Sequence, residues 1–160
     1  MARTKRISPV MLLLAATLAL FAPAAPAVDT EDDSTAAERD SDFAAGKKAI
    51  EWKDWAAAIK AFSAAALRDP RNADIQNYLG YAHRSSGQME LAFKHYARAL
   101  ELNPRHRGAH EYVGEAYLMV GELPKAEEHL AALQKICLIP CAEYTELKKQ
   151  IEVYRQRAAR

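Results

Sequence analysis

Residues that break or bend a chain are scarce in this sequence, with six glycines and seven prolines among 160 positions. Long β-branched runs are missing and alanine is abundant, which argues against a sheet and favours helices. No Lys/Arg cluster alternates with aromatics, so a nucleic-acid ligand is not expected. The sequence has no G-x-S-x-G, no phosphate-cradling glycine loop and no H-E-x-x-H. Ser85-Ser86 stands before Gly87, where serine is ordinary turn chemistry. With no catalytic constellation and no cofactor motif, the expected class is a binding protein, not an enzyme.

What is present is enough apolar material for one packed domain, since half of the residues are hydrophobic. The first residues read as a targeting segment. Arg3, Lys5 and Arg6 form a basic head, Ile7 to Phe21 is an uncharged apolar run, and Ala25-x-Ala27 supplies the small residues of a cleavage site. The run is too short to span a bilayer and ends near Pro23 and Pro26, so a signal peptide over 1–27 is expected and no stable membrane insertion after cleavage. Cleavage takes the charge from 22 cations against 21 acids to 22 − 3 = 19 against 21, a net −2. A mildly acidic chain has no electrostatic pull toward DNA or anionic lipid. Residues 28–38 are acid-rich with one large apolar side chain, as a solvated linker is.

From Arg39 the chain repeats with a period of 34. Gly46, Gly80 and Gly114 share the eighth position of successive units. Ala58, Ala92 and Ala126 share the twentieth, and Phe62, Tyr96 and Leu130 the twenty-fourth. Pro70 and Pro104 close the first two units, and no insertion disturbs the register across 39–140. Each unit reads as two amphipathic helices crossing at small residues, with the larger residue filling the gap beside them. Gly87 and Gly121 suit the turns between paired helices. Tyr144, Leu147, Ile151 and Tyr154 then mark one apolar face of a last helix. The spacing predicts seven helices, at 36–51, 54–68, 72–85, 88–102, 106–119, 123–136 and 142–157.

Leu79-Gly80, and Val113-Gly114 with Tyr117, complete most of the frame W-x2-L-G-x2-Y. On these residues the chain resembles the tetratricopeptide repeat (TPR) family over 39–160. The resemblance implies an all-α, right-handed superhelix, or α-solenoid, with repeats 39–72, 73–106 and 107–140 and a capping helix over 141–158. The first unit departs from the pattern: Asp42 stands for the usual Trp, Ala45 for Leu and Lys53 for the turn Gly. Terminal repeats often do so. Trp52 and Trp55 read as packing anchors near the first turn.

The resemblance also implies a concave groove lined by the first helix of each unit, binding a protein or peptide. Its groove positions fall on Asp40, Phe43, Lys47, Ile50 and Glu51, then Asp74, Asn77, Tyr81, Arg84 and Ser85, then Gly108, Glu111, Glu115, Leu118 and Met119. Expected contacts are Phe43, Lys47, Asn77, Tyr81, Arg84, Glu111, Glu115 and Leu118, with Tyr81 and Arg84 as anchors outside the inter-helix core. The carboxylate clamp of chaperone-binding members is not reproduced, because Phe43 replaces its first Lys and Gly108 and Tyr112 replace later cations. Self-association through the atypical first unit stays open.

Cys137 and Cys141 flank Pro140 at a helix corner, and in an exported chain they read as a structural disulfide. The alternative is a metal- or redox-responsive accessory protein using this pair, or His106 and His110 at i, i+4. Against it stand the absence of C-x-x-C spacing and of a third ligand, so no metal site is expected. The exported location expected is the bacterial periplasm.

Overall fold

The computed structural model describes residues 40–159, and within them the chain forms seven α-helices and no strand. They are α1 (Ser41–Glu51), α2 (Trp55–Arg68), α3 (Ala73–Ser85), α4 (Met89–Leu102), α5 (Arg107–Met119), α6 (Leu123–Ile136) and α7 (Ala142–Ala158). The expected signal peptide and linker, and residue 39, lie outside the described residues.

Helix starts show why the expected boundaries run one residue early at α2, α3, α4 and α5. Asp54, Asn72, Gln88 and His106 are the non-helical cap residues themselves. Asp54, Asn72 and His106 accept amide hydrogens of the first turn, which relieves donors that have no intrahelical partner. At α1 the correction is larger, because Asp40 at φ −76° and ψ 122° ends the helix where continuation to 36 was expected. Its carboxylate accepts from the amides of Asp42 and Phe43 and from Arg68 at the far end of α2.

Turns within the units follow the glycines. Gly87 and Gly121 adopt φ +82° and +83°, the left-handed conformation glycine takes without cost. In the first unit Lys53 takes that role at φ 56°, a conformation an L side chain holds at some strain.

Packing runs as a series of small cores. Phe43, Phe62, Ile75 and Leu79 knit α1 and α2 to α3. Ala92, Tyr96, Val113 and Ala116 join α4 to α5. Leu118, Leu133, Leu147 and Ile151 join α5 and α6 to the cap. Each core uses the first helix of the next unit, so no unit buries its apolar face alone.

The eighth-position glycines sit under these cores. A Cβ at Gly46 would lie 2.6 Å from the Phe62 ring, and one at Gly80 2.5 Å from the Tyr96 ring. At Gly114 the filler is not Leu130 of its own unit but Leu147 of the cap, 2.6 Å from such a Cβ. A leucine at position 24 is smaller than the rings of the first two units, and the cap helix supplies the missing volume.

Candidate functional site

Helices α3, α5 and α7 line two adjoining clefts. Toward their N-terminal ends is a cavity of about 520 Å³, bordered by Asp74, Asn77, His106, Glu111, Tyr112 and Glu143. Toward their C-terminal ends is one of about 300 Å³, bordered by Arg84, Glu115, Leu118, Met119, Val153 and Tyr154.

Between α2, α3 and α5 lies an aromatic ladder. Trp55 meets Tyr81 edge-on with ring centroids 6.1 Å apart, and Tyr81 meets Tyr112 at 5.1 Å. The Arg84 guanidinium stands 5.3 Å from the Tyr81 ring and 5.6 Å from the Tyr112 ring. Tyr81 and Arg84 come together because three residues on a helix make one turn. Burial raises the Tyr112 hydroxyl pKa above its usual value, and nearby Glu111 adds to the rise.

Arg84 is not the freely exposed anchor expected. Its side chain is 10% accessible and its Nη1 donates to Glu115 Oε2 at 2.5 Å, which makes the pair part of the α3–α5 contact. Phe43 is a second correction. It is 3% exposed and packs edge-on against Phe62 and Tyr78, because α1 turns that face onto α2 and α3. Leu118 is a third, buried among Leu133, Leu147 and Ile151 with only its edge on the cleft.

The other expected groove residues are placed as follows. Lys47 is exposed, its Nζ 5.9 Å from the Phe43 ring. Tyr81 is half-buried in the ladder. Asn77 is buried, and its Oδ1 has no hydrogen-bond donor. Glu111 is half-buried with its pKa pushed up to about 7, first by burial and then by Glu115, Glu143 and Glu146. Met119 forms the exposed apolar lip.

Two contributions lie outside the expected set. Tyr112 stands at position 6 of its unit, which the groove register does not single out. Val153 and Tyr154 come from the cap, and carrying the register into the incomplete fourth unit would have found Val153 at position 13.

The histidines are committed to packing. His106 Nδ1 accepts the Ala109 amide at the start of α5, which leaves Nε2–H to donate to Asp74 at 2.8 Å. His110 Nε2–H donates to the Pro104 carbonyl at 3.1 Å, and its Nδ1 shares a hydrogen with His129 Nδ1 at 2.9 Å. All four ring nitrogens of His106 and His110 are therefore engaged, and the pair has no lone pair to offer a metal. Among the described residues no group of three or more His, Cys, Asp or Glu is arranged to hold one. Cys137 and Cys141 are joined, with Sγ atoms 2.10 Å and Cα atoms 5.9 Å apart.

Comparison with solved structures places the same architecture in several proteins. The type III secretion translocator chaperone SycD of Yersinia enterocolitica superimposes with a TM-score of 0.66 at 20% identity, over 79% of this chain and 88% of that one. The TPR2B domain of yeast Sti1, solved as a pHsp70 complex, gives 0.66 at 20% identity over 78% and 98%. PcrH, solved with the chaperone-binding region of PopD, gives 0.65 at 19% identity over 82% and 98%. At such identities the likeness is one of fold. No curated protein matches the sequence. The tetratricopeptide repeat profile matches residues 43–104 and 94–137, more than half of the 160 residues. With its 34-residue period, glycine-seated helix crossings and stacked helix pairs, the chain belongs to the tetratricopeptide repeat family.

Proposed function

We propose that this protein is an exported adaptor that holds a peptide segment of a partner protein against the concave face of α3, α5 and α7. The observation that carries the reading is the ladder of Trp55, Tyr81 and Tyr112 capped by Arg84, which also borders the cleft with the apolar lip at Met119. Rigid aromatic surface beside a held cation offers contact area at low entropic cost, as binding anchors do. SycD bound to a peptide of the translocator YopD, and PcrH bound to part of PopD, support a peptide as the ligand class. The basic head, apolar run and Ala25-x-Ala27 support export to the periplasm, with a mature chain starting at Val28. Against the metal-responsive reading stand the engaged histidine nitrogens and a bonded cysteine pair with no free thiolate to offer a metal.

The test is binding of the mature chain to an array of random fifteen-residue peptides, repeated with Tyr81→Ala and with Met119→Glu. Loss of one anchor costs about 2 kcal/mol, roughly thirtyfold in affinity. Undiminished binding by both variants, with unchanged circular dichroism, would overturn the concave face as the site.

A further inference from the structure

The ion pairs and hydrogen bonds along the concave face leave one carboxylate out. Glu115 takes Arg84, Glu143 takes Arg107 at 3.6 Å, and Asp74 takes His106. Glu146 takes Lys149 at 3.6 Å and the Gln150 amide at 2.7 Å. Glu111 stands among them half-buried, with no cation and no hydrogen-bond donor of its own among the described residues. A carboxylate withdrawn from water without a partner is costly, and folding alone does not explain it.

A second unmet group lines the same cavity. Asn77 is 3% exposed and its Oδ1 has no donor. That oxygen is itself enclosed, so it adds no acceptor to the open cavity. The donors at the rim are already used: Arg107 by Glu143, the His106 Nε2–H by Asp74, and Arg105 by the Ile136 carbonyl at 3.4 Å. The open, unfilled capacity is therefore an acceptor, the Glu111 carboxylate. Tyr112 adds an aromatic wall, and the volume of about 520 Å³ is ample for a long side chain.

We propose that this cavity receives a cationic side chain, lysine or arginine, from the bound peptide, with Glu111 as its counter-ion and the Tyr112 ring as its wall. The inference rests on the peptide-binding reading above and specifies what the peptide carries. An ammonium or guanidinium brings only donors, it neutralises Glu111, and Tyr112 favours it through the ring face. Met119, Val153 and Tyr154 in the neighbouring cleft would then take an apolar residue further along the same peptide.

The probe is a positional-scanning library of fifteen-residue peptides applied to the mature chain, to Glu111→Gln and to Glu128→Gln, the last a charge-removal control on the exposed side of α6. The expected result is enrichment of Lys or Arg at one position by the wild type and by Glu128→Gln, and its loss in Glu111→Gln. Replacing that basic residue by norleucine should weaken wild-type binding about tenfold, the scale of one charge-assisted hydrogen bond, and weaken Glu111→Gln little. Glu111→Gln should also melt no lower than the wild type at pH 8, because it removes an uncompensated charge. A lower melting point would assign Glu111 a structural role and overturn the inference. Peptide binding without basic enrichment, or with enrichment kept in Glu111→Gln, would overturn it too while leaving the groove intact. Binding of no peptide at all would overturn the groove reading and the inference with it.

Discussion

Arg84 of α3 reaches across to Glu115 of α5 and donates to its carboxylate at 2.5 Å, joining residues 31 apart in the chain beneath the Tyr81 and Tyr112 rings. The pair belongs at once to the floor of the groove and to the contact between two repeats. Arg84→Ala therefore leaves Glu115 mostly buried and unpaired, at an expected cost of about 3 kcal/mol. Arg84→Met with Glu115→Leu should cost markedly less. Urea unfolding of Arg84→Met, Glu115→Leu and their double variant measures the coupling, and additive losses would mean that the pair contributes nothing.

Gly80 is expected to tolerate no side chain. Its Cβ would meet the fully buried Tyr96 ring, which is held between α4 and α5 and cannot retreat. Gly80→Val should destabilise by about 3 kcal/mol or unfold the array. Tyr96→Phe keeps the ring and removes a buried hydroxyl that has no partner, so it should hold or raise stability. Thermal melts of both variants check the assignment.

Stability should peak in mildly acidic solution. Burial holds the pKa of His95 and of His129 down to about 4, and each has a histidine neighbour, His83 and His110, that lowers it further. A base whose folded pKa is depressed contributes stability that is complete above its unfolded value and lost as pH falls from about 6.5 toward 4. Glu111 works the other way. Its folded pKa is raised to about 7, so its contribution is complete below the usual carboxyl range and lost as pH rises through 7. Denaturation midpoints should rise from pH 4 to about 6.5 and fall slightly to just above 7, and Glu111→Gln should abolish that fall and steepen the acid limb.

The bond between Cys137 and Cys141 closes a loop of sequence separation 4, so its chain-entropy contribution is at most about 2 kcal/mol. Its main effect is to fix the corner where α6 passes into α7. Replacing both cysteines by serine should leave helix content unchanged, since Leu147 and Ile151 still anchor the cap in the core. Amide exchange in α7 should quicken while α3 and α4 are unaffected. Equal exchange in both forms would show that packing alone sets the corner.

Where helices lie was legible in the sequence, because period and punctuation are local. The 34-residue spacing of Gly46, Gly80 and Gly114, the turn glycines and the acidic or amide caps each act within a few residues of where they stand. Even the boundary errors were small, since Asp54, Asn72, Gln88 and His106 sit at the edge between coil and helix by the nature of a cap. Which side chains face the groove was not legible to the same degree. Phe43, Arg84 and Leu118 occupy groove positions by register, yet the tilt of one helix pair on the next turns Phe43 onto Tyr78, Arg84 onto Glu115 and Leu118 onto Leu147. Register assigns a residue to a side of its own helix. Whether that side meets water depends on the angle and depth at which the neighbouring helix packs, and those are set by long-range contacts such as Leu147 over Gly114. The unpaired state of Glu111 has the same origin, for it exists only because partners from α3 and α7 have claimed every other charge around it.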